Sequence, residues 1–101
     1  MDISDYSFHD TTILQVREYP EFQILEFHID FPVDWETNKF ELRILKFTQV
    51  TYYSFDTIQF AGNPTILDIN EMGTTKNKIE IITNAGKRII EYVNVELLSR
   101  I

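Results

Sequence analysis

One segment of the chain, residues 25–31, alternates strictly between apolar and polar side chains. Its apolar positions are Leu25, Phe27, Ile29 and Phe31. Its polar positions are Glu26, His28 and Asp30. Because successive side chains of an extended strand point to opposite faces, this pattern is typical of a strand with one face in a core and the other in solvent. It predicts that Phe27 lies in the core and that His28 lies on the opposite, solvent-facing side of the strand.

A second segment rich in β-forming residues, 11–19, comes before this strand. The two segments are joined at Pro20 and Glu21, and proline presets the backbone angle φ that the first central position of a turn requires. Residues 22–31 would then fold back on residues 11–19. The sequence therefore predicts a β-hairpin.

Turn-forming residues also divide the second half of the chain. Gly62-Asn63-Pro64 precedes the β-rich residues 65–69, and the interruption at residues 72–77 precedes residues 78–82. Short apolar runs between such breaks are typical of a domain built from strands. We interpret both runs as short strands.

Asn84-Ala85-Gly86 fits a three-residue hairpin loop, with Gly86 in the left-handed conformation that glycine adopts without strain. The loop leads into residues 87–98, whose apolar positions fit either a helix or a strand. Their β-branched content favours a strand.

Between residues 40 and 47 the apolar side chains switch from even-numbered to odd-numbered positions. Those of the first phase are Phe40, Leu42 and Ile44, and those of the second are Leu45 and Phe47. A regular strand with one buried face keeps its apolar side chains on alternate positions throughout. We therefore expect either a β-bulge or a bent strand that is covered on both faces. Both alternatives predict that Ile44 and Leu45 are buried. Before this segment, the polar residues 32–39, which include Trp35, are interpreted as a loop.

These patterns predict one domain over residues 1–101. A chain of this length is expected to form a single hydrophobic core. Hydrophobic residues make up 44% of the chain and aromatic residues 14%, which is too apolar for a disordered chain. We expect an all-β or strand-dominated α+β fold, in which an antiparallel meander forms a two-sheet sandwich or a small open barrel.

The chain contains no cysteine, which excludes a disulfide scaffold, a thiolate zinc site and a cysteine nucleophile. Its first residues are acidic where a signal peptide would be basic, and no apolar run of about 18 residues follows. We expect a cytoplasmic protein.

The formal net charge of −7 is unevenly distributed. Residues 1–36 hold nine acidic residues against the single base Arg17, whereas residues 37–101 hold seven acids against eight bases. An acidic surface repels nucleic acid and anionic membranes, and it attracts a basic protein partner. The same charge also fits a surface that only keeps the protein soluble.

Candidate catalytic residues are few. Asp10 could orient His9 as a general base, but at strand spacing the two point to opposite faces, and Asp10 fits better as an acceptor for backbone amides. His9, His28 and Asp30 could bind a metal, although this spacing is unspecific and a polar strand face explains it equally. No nucleophile elbow or phosphate-binding glycine loop is present, so we expect no enzyme, no metal and no cofactor.

Four stretches of the chain resemble, in order, a group of small uncharacterised bacterial β proteins, some of which resemble immunity proteins encoded beside secreted toxins. These stretches are Phe8-His9-Asp10, residues 47–53, residues 63–69 and Thr83-Asn84-Ala85-Gly86. The resemblance implies a cytoplasmic bacterial protein that neutralises a toxin by binding it. It assigns no functional residue.

Taken together, these features predict a protein-binding module with an acidic recognition patch. Its expected residues are Glu26, His28, Asp30, Asp34, Trp35 and Glu36. Two alternatives remain open. One is a small-molecule binder or minor enzyme with a pocket lined by aromatic residues such as Tyr52 and Tyr53. The other is a structural module in which a strand face or residues 87–98 pair with a second copy of the chain.

Overall fold

A computed structural model of the chain describes residues 2–34, 36–57, 62–72 and 77–99. Within these residues the chain forms eight strands and two short 3-10 helices. The strands are β1 (Thr12–Tyr19), β2 (Ile24–Asp34), β3 (Lys39–Thr48), β4 (Tyr52–Thr57), β5 (Ile66–Glu71), β6 (Lys78–Thr83), β7 (Gly86–Glu91) and β8 (Asn94–Ser99). The 3-10 helices are Ile3–Asp5 and Pro20–Phe22.

The strands form two antiparallel sheets of four. The first sheet has the order β1-β2-β3-β8, and the second has the order β4-β7-β6-β5. Only part of each sheet is a meander, because β3 leads into the second sheet and β7 leads back into the first. In the described part of the chain the sheets do not close into a barrel, so the predicted all-β fold is confirmed as a sandwich.

The predicted hairpin is confirmed. β1 pairs with β2 from Thr12 opposite Asp30 to Tyr19 opposite Ile24, and the 3-10 turn that starts at Pro20 connects them. The turn ends at Gln23, whose φ of 55° lies in the left-handed region.

The core lies between the inner faces of the two sheets. The alternating apolar positions of β2 all point into it, and the side chain of Phe27 has no exposed surface. Its ring packs edge-on against Phe47 of β3 and Tyr53 of β4, with ring centres 5.8 and 6.5 Å apart. Full burial of a side chain of this size contributes about 1.5–3 kcal/mol to stability. The main partners from the second sheet are Ile66, Ile79, Ile81 and Ile90.

The predicted bulge between Ile44 and Leu45 is wrong. β3 keeps a regular register with β2 from Leu25 opposite Phe47 to Pro32 opposite Phe40. Leu45 is fully buried in the core, whereas Ile44 is half-buried on the outer face. The phase change therefore reflects a regular strand that carries apolar side chains on both of its faces.

The polar loop expected at residues 32–39 is shorter than predicted. β2 continues to Asp34 and β3 begins at Lys39, so Pro32 is a buried strand residue. The register between these strands shifts between Pro32 and Asp34, which is where a proline without an N–H group is tolerated. Trp35 lies outside the described residues.

Residues 87–98 are β structure, as their β-branched content indicates, but they belong to two strands in different sheets. The chain passes from β7 to β8 at Tyr92 and Val93. The turn before β7 has two residues instead of the predicted three, because Thr83 pairs with Gly86. Gly86 has the expected positive φ, 114°.

One corner of the sandwich joins the two sheets through the backbone. Thr12 at the start of β1 forms an isolated bridge with Thr65, just before β5. The amide of Ile13 donates to the carbonyl of Pro64 at 2.9 Å, and the amide of Ile66 donates to the carbonyl of Thr11 at 2.7 Å. These bonds fix the first residues of β1 and β5 against each other.

Candidate functional site

The outer face of the first sheet carries most of the predicted recognition residues. Because paired residues of neighbouring antiparallel strands point to the same side, the register defines rows of side chains across this face. The first row, the charged row, contains Arg17, Glu26, Lys46 and Glu96. The second, the His28 row, contains Gln15, His28, Ile44 and Leu98.

Four hydrophobic side chains form an apolar patch on this outer face. They are Phe40, Leu42, Ile44 and Leu98. Leu42 is 47% exposed and Leu98 is 36% exposed, while Phe40 and Ile44 are half-buried. A group of adjacent apolar side chains that the fold leaves in solvent is typical of a contact surface for another molecule.

His28 lies in the middle of this outer face and outside the core, as predicted, but the expectation that it faces solvent is wrong. Only 4% of the residue is accessible, because β2 is a central strand and side chains of β1 and β3 flank it on both sides. Its Nε2 donates to Oε1 of Glu26 at 3.2 Å. Its buried Nδ1 then remains an acceptor with no donor among the described residues.

Two of the predicted acids flank His28 on its own strand, and two lie at the following turn. Glu26 and Asp30 flank His28 on β2 and are half-buried, whereas Asp34 and Glu36 are exposed where β2 leads toward β3. Among the described residues, the carboxylates of Asp30, Asp34 and Glu36 make no ion pair within 4 Å.

The carboxylate of Asp34 is held in its ionised form. The Thr37 hydroxyl and the backbone amide of Glu36 both donate to it, the latter at 3.0 Å, and these bonds lower the pKa of Asp34. This hydrogen bonding favours the charged form without removing it from solvent. Five of the six predicted recognition residues therefore lie along β2 and the turn that follows it, and the sixth, Trp35, is outside the described residues.

His9 and Asp10 lie elsewhere, near the corner between the sheets. They are closer than strand geometry allows, because Asp10 adopts a left-handed turn conformation with φ 66° and its Oδ1 lies 3.5 Å from Nε2 of His9. Nδ1 of His9 donates to the carbonyl of Leu67 at 2.8 Å. The expected bond from a backbone amide to the Asp10 carboxylate is not formed among the described residues. Both side chains are more than half exposed, and no group of three potential metal ligands exists in the described ranges.

A cleft of about 320 Å³ opens near the turn between β1 and β2. Its walls include the Glu18 carboxylate and the predicted aromatic pair Tyr52 and Tyr53. Burial raises the pKa of the Tyr53 hydroxyl, which accepts a hydrogen bond from Arg88. The cleft is open to solvent, and Glu18 is the only acidic residue among those that line it in the described part of the chain.

Comparison with known protein families, curated proteins and solved structures gives no match for this chain. None of the helices in the described residues is long and apolar enough to cross a membrane. A functional assignment therefore depends on the geometry above.

The apolar patch was not predicted from the sequence. The sequence shows that Phe40, Leu42 and Ile44 share one side of a strand, but this pattern predicts a covered face and not an exposed one. No local sequence feature distinguishes Leu98 from the buried apolar residues near it. Its exposure depends on the pairing of β8 with β3 at the edge of the sheet.

Proposed function

We propose that this chain is a non-catalytic protein-binding module that uses the outer face of its first sheet. The observation that supports this proposal is an exposed apolar patch beside carboxylates that have no ion-pair partner in the described part of the chain. Protein interfaces commonly combine an apolar centre with a polar rim. Here the patch would supply the centre, and Asp30, Asp34 and Glu36 would supply one side of the rim.

The proposed partner is a basic protein. The acids of this rim lie in residues 1–36, which hold nine acids and one base. Surface charge of one sign raises the association rate with a partner of the opposite sign. A cytoplasmic bacterial immunity protein that neutralises a basic toxin domain would use a surface of this kind, and this is the specific role we propose.

A second candidate function is small-molecule binding in the cleft beside Tyr53. Its volume, about 320 Å³, lies at the lower end of the range of ligand pockets. Its polar lining residues include Glu18, Gln23, Thr51 and Tyr53. It is the weaker candidate because typical ligand sites enclose most of the ligand, whereas this cleft is wide open.

The charge on the rim provides the first test. The partner to use is a basic protein encoded next to this chain, and the measurement is the association rate at low and at high salt. We expect the triple variant Asp30→Lys, Asp34→Lys, Glu36→Lys to associate about tenfold or more slowly at low salt, and to approach the unchanged protein when salt shortens the Debye length to about 3 Å.

A matched control reverses three acids on the opposite side of the sandwich. Asp56→Lys, Glu80→Lys and Glu91→Lys change the net charge by the same amount, but they lie on the outer face of the second sheet. We expect a much smaller change in the association rate for this control. Equal losses in both triple variants would show a net-charge effect and contradict a defined rim.

The apolar patch is tested by Leu42→Ala in the same assay. Truncating a side chain at the centre of an interface mainly speeds dissociation. We expect a faster dissociation rate with a nearly unchanged association rate. An unchanged dissociation rate would contradict the role of the patch, even if the charge reversal has its expected effect.

A further inference from the structure

A second cavity, of about 300 Å³, lies between the N-terminal 3-10 helix and the corner where the chain passes from β7 to β8. Its walls come from the start of this helix, the end of β5, the residue before β6 and the corner itself. They include Asp2, Ile3, Glu71, Asn77, Tyr92 and Asn94. No lining residue in the described part of the chain belongs to the apolar patch or to the rim acids. The cavity is therefore separate from the proposed recognition face.

Glu71 places a carboxylate on the inner side of the second sheet. It pairs with Ile79 of β6, which in turn pairs with Ile90 of β7, so the three side chains point to the same side. Ile79 and Ile90 are fully buried in the core, whereas Glu71 ends this row at the edge of the sheet and is exposed. Its carboxylate forms no hydrogen bond or ion pair with any described residue. Its charge is therefore available to a ligand in the cavity.

Tyr92 supplies a buried hydroxyl that the fold leaves without a partner. Only 6% of the residue is exposed, and its ring packs against Phe47 with ring centres 4.9 Å apart. Its backbone amide donates to the carbonyl of Asn77 at 2.9 Å, which fixes the residue in the cavity wall. The hydroxyl forms no hydrogen bond within the described residues, yet it is not sealed from solvent. Because buried tyrosine hydroxyls usually have a hydrogen-bond partner, whatever fills the cavity should supply one.

The cavity is negatively charged around this hydroxyl. Burial raises the pKa of Tyr92, and the carboxylates of Glu71 and Asp2 raise it further because they oppose another negative charge nearby. Both carboxylates therefore act at the same place. Asp2 is held there as the cap of the 3-10 helix, where its Oδ1 accepts from the amide of Ser4 at 3.0 Å. The described lining residues include no lysine, arginine or histidine.

These groups suit an organic ammonium better than a metal ion. A primary ammonium donates three hydrogen bonds and accepts none, and the cavity offers carboxylate oxygens, the tyrosine hydroxyl and the side-chain carbonyls of Asn77 and Asn94 as acceptors. Ca²⁺ takes about six to eight oxygen ligands, whereas no group of three acidic or histidine side chains that could hold a metal exists in the described ranges. The buried side chain of Ile3 adds an apolar wall, which suits an alkyl stem.

We propose that this cavity binds a primary alkylammonium group, whose charge faces Glu71 and Asp2 and whose N–H donates to the Tyr92 hydroxyl. The methylene stem would lie along Ile3. Two sources carry such a group: a free aliphatic diamine, and a lysine side chain of another protein. The proposal does not depend on the proposed function, because the two surfaces share no residue. Failure of one leaves the other intact.

The test is a titration of the isotope-labelled protein at low salt, followed by the NMR shifts of its backbone amides. The diamine cadaverine should bind with a Kd of about 1 mM or below, with the largest shifts at Asn77, Tyr92 and Asn94. Nα-acetyl-lysine methylamide carries the same ammonium on a peptide. Binding of both probes would indicate a lysine side chain as the source, and binding of cadaverine alone would indicate a free amine. The Nε-acetylated peptide probe lacks the positive charge and should not bind.

Two conservative variants test the named contacts. Glu71→Gln removes the charge and keeps the shape of the side chain, so it should weaken cadaverine binding about tenfold. Tyr92→Phe removes only the hydroxyl and should weaken binding about threefold or more, while the thermal melt stays nearly unchanged because no described residue bonds to this oxygen. Glu96→Gln is the matched control. It removes one exposed carboxylate two positions beyond Asn94 but does not line the cavity, so the Kd should change less than about twofold.

Four outcomes would overturn the proposal. One is the absence of saturable shifts at Asn77, Tyr92 and Asn94 with cadaverine up to about 50 mM. Another is cadaverine binding that neither Glu71→Gln nor Tyr92→Phe weakens, which would locate the site elsewhere. The third is equal weakening by Glu71→Gln and Glu96→Gln, which would show attraction to net charge alone. The last is tighter saturable binding of Ca²⁺ at the same three amides, which would assign the cavity to a metal ion.

Discussion

The two outer faces of the sandwich differ in how their charged side chains are paired. On the second sheet, charged side chains of neighbouring strands pair with one another: Lys78 with Glu91 at 3.5 Å, and Lys87 with Glu80 at 3.8 Å. On the first sheet, no Lys or Arg among the described outer residues forms an ion pair, and Glu26 accepts a hydrogen bond from the buried His28 instead.

The two faces also differ in how their hydrophobic groups are arranged. The second sheet places half-buried Ile82 and Ile89 among ionic side chains and exposes the ring of Tyr52 beside Lys78, whereas the first sheet collects its apolar side chains into one patch with Leu42 nearly half exposed. A surface whose charges are mutually paired gains little from a partner. A surface with unpaired carboxylates beside exposed leucine can gain from both electrostatic attraction and burial, which makes the first sheet the better contact surface.

The largest expected effect separates the outer patch from the core on a single strand. Leu45→Ala should lower the free energy of unfolding by about 2–5 kcal/mol, because it removes a fully buried side chain and leaves a cavity. Ile44→Ala, its neighbour on the outer face, should lose less than about 1.5 kcal/mol because Ile44 is only half-buried. Urea denaturation measures both. Equal losses would show that Ile44 is packed as tightly as Leu45, which would contradict an exposed apolar patch on the outer face.

A smaller effect with the opposite sign is expected at His28. His28→Leu removes a buried Nδ1 that has no donor in the described part of the chain, and it keeps a side chain of similar size. Removing an unsatisfied buried acceptor should raise the free energy of unfolding by about 1 kcal/mol, although Glu26 loses its partner. Thermal and urea denaturation provide the measurement. A loss of stability of similar size would show that Nδ1 has a hydrogen-bond donor in solution.

On the second sheet, Lys87→Met should change the free energy of unfolding by less than about 0.5 kcal/mol, because exposed ion pairs contribute little. The expected change is small at all salt concentrations. Lys46→Met on the first sheet is the matched control. A loss above about 1 kcal/mol for Lys87→Met alone would show that the ion pairs between β6 and β7 stabilise the second sheet and do not only keep its outer face polar.

The smallest effect concerns the ionisation of Asp34. Thr37→Ala removes the hydroxyl that lowers the pKa of Asp34, so this pKa should rise toward the ordinary value of an aspartate. Because the folded-state pKa of Asp34 is depressed, its contribution to stability is present above the unfolded-state pKa and is lost as the pH falls through the folded-state pKa. Carboxyl NMR titration measures the shift. An unchanged titration in the variant would rule out the hydroxyl as its cause.

The sequence was sufficient for elements that local pattern determines. Residues 25–31 alternate because one face of β2 fills the core, and Pro20 marks the hairpin turn, so both predictions were confirmed. The burial of His28 could not be predicted in this way. It depends on which strands lie on each side of β2 and how far their side chains reach, and this is a property of sheet order.

The same reason explains the failure at Ile44. Apolar residues in both phases of a strand can indicate a bulge, a strand covered on both faces or an uncovered contact surface, and only the partner strands distinguish them. β3 pairs with β8, which is about 46 residues away from it in sequence. No local pattern specifies a pairing at this separation.

That separation has a consequence for the nascent protein on the ribosome. Translation at about 5–20 residues per second leaves roughly 2–9 s between completion of β3 and completion of the first residue of β8. During this interval β3 is an open edge of the first sheet, with Leu45 and Phe47 on one face and Leu42 and Ile44 on the other. Chains that stop before Asn94 would retain this edge permanently. Ribosome-bound and prematurely terminated forms of this protein should therefore be clients of chaperones that bind exposed hydrophobic strands, whereas the finished chain should not.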